Sequence, residues 1–178
     1  NHKLPPYVIF QDPSLEAMAT TYPITIEELA NISGVGIGKA KRYGEEFVKL
    51  IRRHVEENEI ERPEDMVVRT VANKSKVKIA IIHAIDRKIP LDEIARSRGL
   101  EIDELLDDIE AIVNSGTKIN INYYIDELLD NEQQDDIFEY FKESESGDLN
   151  DAYKELGDEY SEDEIRLMRI KFISEMGY

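Results

Sequence analysis

Residues 29–47, LANISGVGIGKAKRYGEEF, contain the turn around which the N-terminal third of the chain is organised. Glycines at positions 34, 36 and 38 separate two segments whose apolar residues recur at the three- and four-residue spacing of helices. Glycine allows tight turns and close backbone approach, so the stretch predicts two helices joined by a short turn. It is not a Walker A loop, because Ala40 stands where Ser or Thr would hold magnesium. It is not a Rossmann fingerprint either, since no strand is predicted before it.

The chemistry of this turn suits an anion as well as a helix junction. Backbone amides at the start of the second helix would point toward an anion, and nearby basic side chains would add positive charge. The pattern resembles the helix-hairpin-helix turn of sequence-independent DNA-binding proteins, which implies contact with phosphate. The alternative is a turn whose glycines serve packing alone. The predicted contact residues are Gly34, Val35, Gly36, Gly38, Lys39, Lys41 and Arg42.

Helical periodicity continues through most of the remaining chain and predicts an all-α fold. Residues 91–95, Gly99 and residues 102–113 have the spacing of a short helix, a turn and a longer helix, which is the shape of a helix-turn-helix. Ser115-Gly116 ends the longer helix, and residues 118–122 alternate enough to predict a short strand that would give this domain a wing. Further helices are predicted around residues 123–129, 136–142, 149–156 and 162–176.

Polar residues around Pro63 predict a boundary between two helical domains. We place an N-terminal helical bundle in residues 1–62, a linker in residues 63–74 and an acidic helical domain in residues 75–178.

Charge is distributed unevenly along the chain, whose net charge is -17. Counting Lys and Arg against Asp and Glu gives -4 for residues 1–68, +5 for residues 69–100 and -18 for residues 101–178. Non-specific DNA affinity depends largely on neutralising phosphates, so the chain as a whole should bind duplex DNA weakly. Any contact with nucleic acid must therefore be local.

The basic segment in the middle of the chain is a second candidate for DNA contact. Its side chains could contact the DNA backbone, or they could neutralise the acidic C-terminal helices within the molecule. Base recognition by the predicted helix-turn-helix is disfavoured, because its second helix carries carboxylates that phosphates would repel. The residues of this secondary patch are Lys74, Lys76, Lys78, Arg87 and Lys88.

Composition excludes several kinds of site. The chain has no cysteine, which removes disulfides and thiolate metal sites and predicts a reducing intracellular compartment. The histidines, His2, His54 and His83, are far apart in sequence and predict no metal site. No apolar stretch is long enough for a membrane span. We assign no catalytic residue and no cofactor to this chain.

Residues 5–10, PPYVIF, complete a pattern that resembles a known family. Together with the glycine turn and Tyr43-Gly44, they make residues 4–58 similar to the HRDC domain of RecQ DNA helicases and RNase D. Residues 75–178 resemble the helix-turn-helix extension that follows this domain in some bacterial RecQ proteins. An HRDC domain usually begins with a helix before PPY. We therefore expect a fragment that lacks this first helix and whose N-terminal core is partly open.

The resemblance implies a parent helicase that uses ATP, magnesium and zinc in upstream segments. For this region it implies a non-catalytic role in DNA recombination, repair and replication, with weak contact to single-stranded or branched DNA. Tyr7 could stack on a base, or it could pack against the missing helix. The implied location is the bacterial cytoplasm, in association with the nucleoid. The alternative function is a protein-docking module for the helicase core of the same chain or for a basic DNA-associated protein, with no membrane partner.

Overall fold

Eleven α-helices make up the secondary structure of the residues that the computed structural model describes, and none of these residues forms a strand. The described residues are 4–60, 62 and 72–177, with the backbone alone for residues 72–75. The all-α prediction is confirmed. The helices are α1 Pro6–Ile9, α2 Asp12–Thr21, α3 Ile26–Ala30, α4 Ile37–Glu57, α5 Ala72–Asp86, α6 Leu91–Arg98, α7 Ile102–Asn114, α8 Asn122–Leu128, α9 Asn131–Glu143, α10 Leu149–Leu156 and α11 Glu162–Met176.

The N-terminal domain consists of α2, α3 and α4, which enclose a small apolar core. The long helix α4 is amphipathic and lays its apolar face against α3. Gly44 makes this packing close, because a β-carbon at that position would lie 3.4 Å from Cδ1 of Ile26 and closer still to Leu29. Thr25 caps α3 by accepting a hydrogen bond of 3.1 Å from the amide of Glu28. The two predicted helices on either side of the glycine turn are therefore present as α3 and α4.

The C-terminal domain consists of α5 to α11, and α11 lies at its centre. This helix packs against α7, α8, α9 and α10, and seven of its 15 residues are buried. It begins with a capping box in which the Ser161 hydroxyl accepts from the amide of Glu164 and the Glu164 carboxylate accepts from the amide of Ser161, at 3.3 and 2.8 Å. The helix predicted for residues 162–176 is confirmed at both ends.

The predicted helix-turn-helix corresponds to α6 and α7. Gly99 ends α6 with a φ of 69°, a left-handed conformation that glycine adopts without strain. Glu101 and Glu104 then form a capping box at the start of α7. The two helices and α5 pack around buried residues such as Ile81, Leu91 and Leu105.

The strand predicted for residues 118–122 is wrong. Residues 117–121 form an irregular segment whose Ile119 and Ile121 side chains point into the core. A strand needs a partner strand for its backbone groups, but here a side chain takes that place. The Ser174 hydroxyl on α11 accepts a hydrogen bond of 2.9 Å from the amide of Ile119 and donates one of 2.7 Å to its carbonyl. The alternation of apolar residues therefore reflects burial of a loop, and the described part of this domain has no wing.

Helix α1 joins the two domains. Tyr7 and Val8 are buried in the core of the C-terminal domain, whereas Phe10 is buried in the core of the N-terminal domain. Residues 1–62, predicted as one domain, therefore contribute to both cores. The predicted linker, residues 63–74, lies mostly outside the described residues, and residues 72–74 already belong to α5.

Candidate nucleic-acid interface

The glycine turn predicted to bind phosphate packs against the C-terminal end of α7. A β-carbon at Gly36 would lie 2.8 Å from the β-carbon of Ser115 and closer still to its carbonyl oxygen. A β-carbon at Gly38 would lie 3.4 Å from the carbonyl oxygen of Gly116. Carbonyl oxygens at the end of α7 thus face the first turn of α4, where an anion would have to bind. This arrangement supports a packing role for these glycines.

Gly116 makes the same contact possible from the opposite side. Its φ of 84° is left-handed, and a β-carbon there would lie 2.6 Å from Cγ of Lys39 and 3.0 Å from its backbone nitrogen. From the sequence, Ser115-Gly116 is predicted only as a helix stop, and its contact with the glycine turn is missed. The glycines of the turn and Gly116 were the available signal, but the sequence does not reveal that they meet.

Lys39 is buried at this junction. Its side chain is 2% exposed, and its Nζ atom donates a hydrogen bond of 2.7 Å to the carbonyl oxygen of Val8. Burial lowers the pKa of Lys39 to about 8, because the charged form loses its hydration. Lys39 does not present its charge to solvent, so we withdraw it from the predicted DNA contact.

Tyr7 is also buried, with 4% of its surface exposed. Its hydroxyl donates a hydrogen bond to the carbonyl oxygen of Phe141, and its ring centroid lies 6.3 Å from that of Phe172. Gly147, with a φ of 59°, sits against the ring so closely that a β-carbon there would clash with it. Burial raises the pKa of the Tyr7 phenol to about 12. Base stacking by Tyr7 is withdrawn, because the aromatic ring fills the core of the C-terminal domain.

A polar contact closes the rim of the junction. The Gln11 side-chain amide donates a hydrogen bond of 3.0 Å to the side-chain oxygen of Asn114. This hydrogen bond joins the beginning of α2 to the end of α7. The packing of Gly36 and Gly38 against Ser115 and Gly116 joins the beginning of α4 to the same place. The HRDC-like turn therefore mediates docking between the two domains.

Two of the predicted contact cations remain accessible. Lys41 and Arg42, in the first turns of α4, are exposed. Of the turn itself, Gly34 is exposed with a φ of 80°, whereas Val35 is buried in the N-terminal core. DNA contact by Lys41 and Arg42 stays a prediction.

The secondary basic patch has exposed and half-buried members. Lys76 is exposed, and Lys78 is half-buried and donates a hydrogen bond of 2.7 Å to the hydroxyl of Ser115. Burial lowers the pKa of Lys78. The other members are Arg87 and Lys88, exposed just beyond the end of α5, and Lys74, whose side chain lies outside the described residues.

Two arginines of α11 pair with carboxylates on the acidic face of α7. From the sequence, neutralisation of the acidic helices was an alternative role for the secondary basic patch. Arg166 pairs with Glu110 at 3.2 Å and with Asp103 at 3.6 Å, and it also contacts Asp107. Arg169 lies 3.7 Å from Glu110. Of these carboxylates Glu110 is 17% exposed, whereas Asp103 and Asp107 remain 73% exposed, so α11 covers only part of the acidic face of α7.

The described residues give no support to a metal site or a membrane span. In that part of the chain, no group of three or more His, Cys, Asp or Glu side chains could hold a metal ion. None of its helices combines the length and apolar character needed to cross a bilayer.

Comparison with known proteins agrees with both resemblances. The family model described as the HRDC domain matches residues 1–51, and the model described as the RecQ-1-like helix-turn-helix domain matches residues 75–125. The ATP-dependent DNA helicase RecQ of Haemophilus influenzae is 41% identical over 51 residues, which are 29% of this chain and 8% of that protein. The RecQ helicases of Pasteurella multocida and Bacillus subtilis are each 37% identical over 51 residues, or 8% and 9% of their lengths. The matched part is thus a small fraction of these relatives.

Proposed function

Because this chain carries an HRDC domain followed by a RecQ-1-like helix-turn-helix domain, the combination of a RecQ C-terminal region, we propose that it is a non-catalytic accessory region of a RecQ-type DNA helicase. In this role it helps the helicase engage single-stranded or branched DNA during recombination, repair and replication. The parent protein uses ATP, magnesium and zinc in other segments, and it acts in the cytoplasm at the nucleoid.

The observation that carries the DNA contact is the accessibility of Lys41 and Arg42 on α4. Two adjacent cations at the start of α4 can contact phosphates at one place on the surface, although the whole chain is acidic.

Titration of a labelled single-stranded oligonucleotide at low salt tests this proposal. Lys41→Ala combined with Arg42→Ala should weaken binding, and the log–log salt slope should fall by about 0.7 for each phosphate that is no longer neutralised. Lys39→Ala is unsuitable, because this buried side chain would disturb the domain junction.

The matched control is Lys142→Ala combined with Lys154→Ala. It removes two exposed charges that pair with Glu139 and Asp151, and it should leave DNA affinity nearly unchanged. The proposal would be contradicted if the wild-type chain bound no DNA at low salt. It would also be contradicted if the Lys41→Ala, Arg42→Ala variant bound DNA with the same affinity as wild type.

A second function is favoured by the acidity of the C-terminal domain. Residues 101–178 carry a net charge of -18, and carboxylates such as Asp126, Glu132 and Asp135 are exposed. Acidic surfaces attract basic ones and steer their encounter. The domain would then dock the helicase core or a basic DNA-associated protein. Capture of the separately expressed core that weakens as salt rises would support this role, and absence of capture would refute it.

A further inference from the structure

We propose that the outward face of α5 is a second contact surface for the phosphodiester backbone of DNA, formed by Lys76, His83 and Arg87. We call these three residues the α5 stripe. This inference rests on the proposed function, because it gives the same DNA a contact in the C-terminal domain besides the one at Lys41 and Arg42 of α4.

The spacing of the α5 stripe places its residues on one side of the helix. Positions 76, 83 and 87 are separated by seven and four residues, which correspond to about two turns and one turn of an α-helix. Arg87 directly follows α5, and its amide donates a hydrogen bond of 3.2 Å to the carbonyl of His83, so it continues the helical turn. Lys76 and Arg87 supply positive charge, and His83 supplies a ring N–H donor. The stripe extends over roughly 16 Å, so each side chain can contact a different phosphate.

The α5 stripe faces solvent, opposite the side that α5 packs into the C-terminal core. Ile81 and Ile85, which are 0% and 1% exposed, hold the inward side of α5 against α6 and α7. All three residues of the stripe are exposed, and so is Ala80, which lies on the same line of the helix. Burial of the inward side therefore fixes the direction of the stripe before DNA binds.

The α5 stripe forms no ion pair with the described carboxylates. The acidic residues nearest to it in sequence are Asp86, Asp92 and Glu93. Asp86 is exposed and lies roughly a quarter of the way around the helix from the centre of the stripe. Asp92 pairs with Arg96 at 3.3 Å, and Glu93 lies in the first turn of α6, where a carboxylate complements the helix dipole. The charge of the stripe is therefore accessible to an anion.

Helix electrostatics account for only part of the α5 stripe. A cation at the C-terminal end of a helix is stabilised by the helix dipole, which explains Arg87. Lys76 lies in the second turn of α5, where the dipole offers a cation no stabilisation, and the first turn contains no acidic residue to pair with it. The charge of Lys76 therefore has no stabilising role within α5, whereas a phosphate would stabilise it.

An acidic protein is the other partner that a basic helix face could bind. The α5 stripe lies on a convex surface, and Ile79, which is 48% exposed, lies at its edge. Protein interfaces draw most of their energy from buried apolar and aromatic anchors. Contacts with phosphate need only accessible cations, so the polar composition of the stripe favours DNA.

The first experiment removes the cations of the α5 stripe from the full chain. Lys76→Ala with Arg87→Ala is compared with Lys142→Ala with Lys154→Ala, which changes the net charge equally at exposed sites of the same domain. Affinity for a labelled single-stranded oligonucleotide is measured over a salt series. The stripe variant should bind several-fold more weakly, with a log–log salt slope smaller by about 0.7 for each phosphate that it no longer neutralises. The control should bind like wild type, and equal weakening by both variants would refute the inference.

The second experiment adds a cation to the α5 stripe. Ala80→Lys places a lysine at the exposed position between Lys76 and His83, and it should tighten DNA binding several-fold with a steeper salt slope. Ala19→Lys makes the same change at an exposed position of α2 and is the control. Lysine is nearly as good a helix former as most residues at such positions, so both variants should fold. Equal tightening by the two variants would refute the inference, because net charge alone would explain it.

The outcomes separate this inference from the proposed function. If the Lys41→Ala, Arg42→Ala variant is weakened but the stripe variant is not, the α5 stripe is refuted while the proposed function stands. Weakening of the stripe variant alone supports the stripe and refutes the contact at α4. Absence of any DNA binding by wild-type protein refutes both. If the stripe variant loses affinity for poly-L-glutamate but not for DNA, the surface serves an acidic protein and the inference is overturned.

Discussion

The side-chain amine of Lys39 donates a hydrogen bond of 2.7 Å to the backbone carbonyl of Val8, and this bond ties α4 to α1 at the domain junction. Both residues are almost completely buried. A buried ammonium loses favourable hydration, which a hydrogen bond offsets only in part. Lys39 was predicted from the sequence to contact phosphate, but in the structure it contributes to the contact between the domains.

Substitution of Lys39 by Met should change how stability depends on pH. The pKa of Lys39 is about 8 in the folded protein, against an ordinary value of 10.5, so between these values the unfolded chain binds more protons. The free energy of unfolding of wild type should therefore rise from pH 8 to pH 10 by roughly 2 kcal/mol relative to Lys39→Met. Urea denaturation at several pH values measures this difference.

The control for this pH series is Lys41→Met, at an exposed position of the same helix. Its free energy of unfolding should change with pH in the same way as that of wild type. Measurements should stop near pH 10. Above it, Tyr7 also contributes, because its pKa of about 12 exceeds its ordinary value and its stabilisation is lost as pH rises from 10 to 12. Parallel curves for wild type and Lys39→Met would show that Lys39 is accessible to solvent.

Tyr7→Phe should lower stability without changing DNA affinity. The variant keeps the ring in the core but removes the hydrogen bond to the Phe141 carbonyl, which should cost about 1 kcal/mol. Thermal denaturation gives the stability, and oligonucleotide titration gives the affinity. A folded Tyr7→Phe protein with weakened DNA binding would reinstate a direct role for this residue.

Gly36→Ser should weaken the junction by about 1–3 kcal/mol, a typical cost of overpacking. Its β-carbon would collide with Ser115, although the φ of -92° at Gly36 suits any residue. Serine is at least as good an N-cap as glycine, so capping does not explain a decrease in stability. Gly38→Ala is the comparison: its β-carbon has room at 3.4 Å, and alanine favours the helix. Equal stability of the two variants would contradict the close contact.

Arg166→Met should destabilise the C-terminal domain by about 2–3 kcal/mol, because it leaves Glu110, which is largely buried, with a weakened set of partners. The matched change Arg96→Met breaks an exposed pair with Asp92 and should cost at most about 0.5 kcal/mol. Chemical denaturation of both variants provides the comparison. Similar small decreases in stability would mean that the ion pairs between α7 and α11 contribute little.

Local features of the chain were predicted well. The helix at residues 162–176 was found with both ends because Ser161 and Glu164 form a capping box within one turn. Gly99 marked the turn of the helix-turn-helix because it needs a left-handed backbone. The loop at residues 118–122 was mistaken for a strand, since alternating apolar residues describe burial on one side and do not specify what satisfies the backbone.

The accessibility of the candidate site could not be predicted in the same way. Lys39 has the charge and position of a phosphate ligand, but its burial depends on Gly116, which is distant in sequence. Tyr7 has the chemistry of a stacking residue, but its ring is enclosed by Phe172 and Gly147 of the other domain. Both outcomes depend on packing between distant segments.

Residue order alone was enough to establish the helical class and the succession of helices, because caps, turns and apolar periodicity act within a few residues. The kinship with RecQ proteins was suggested by the resemblance of residues 5–10 and of the glycine turn to the HRDC domain. The three-dimensional packing settled which surface the glycine turn faces and which cations stay exposed. The physical reason is that the space in front of the α4 amides can accept either an anion or the end of α7. The burial of Tyr7 and Val8 in the second domain and the hydrogen bond between Gln11 and Asn114 hold Ser115 and Gly116 in that space.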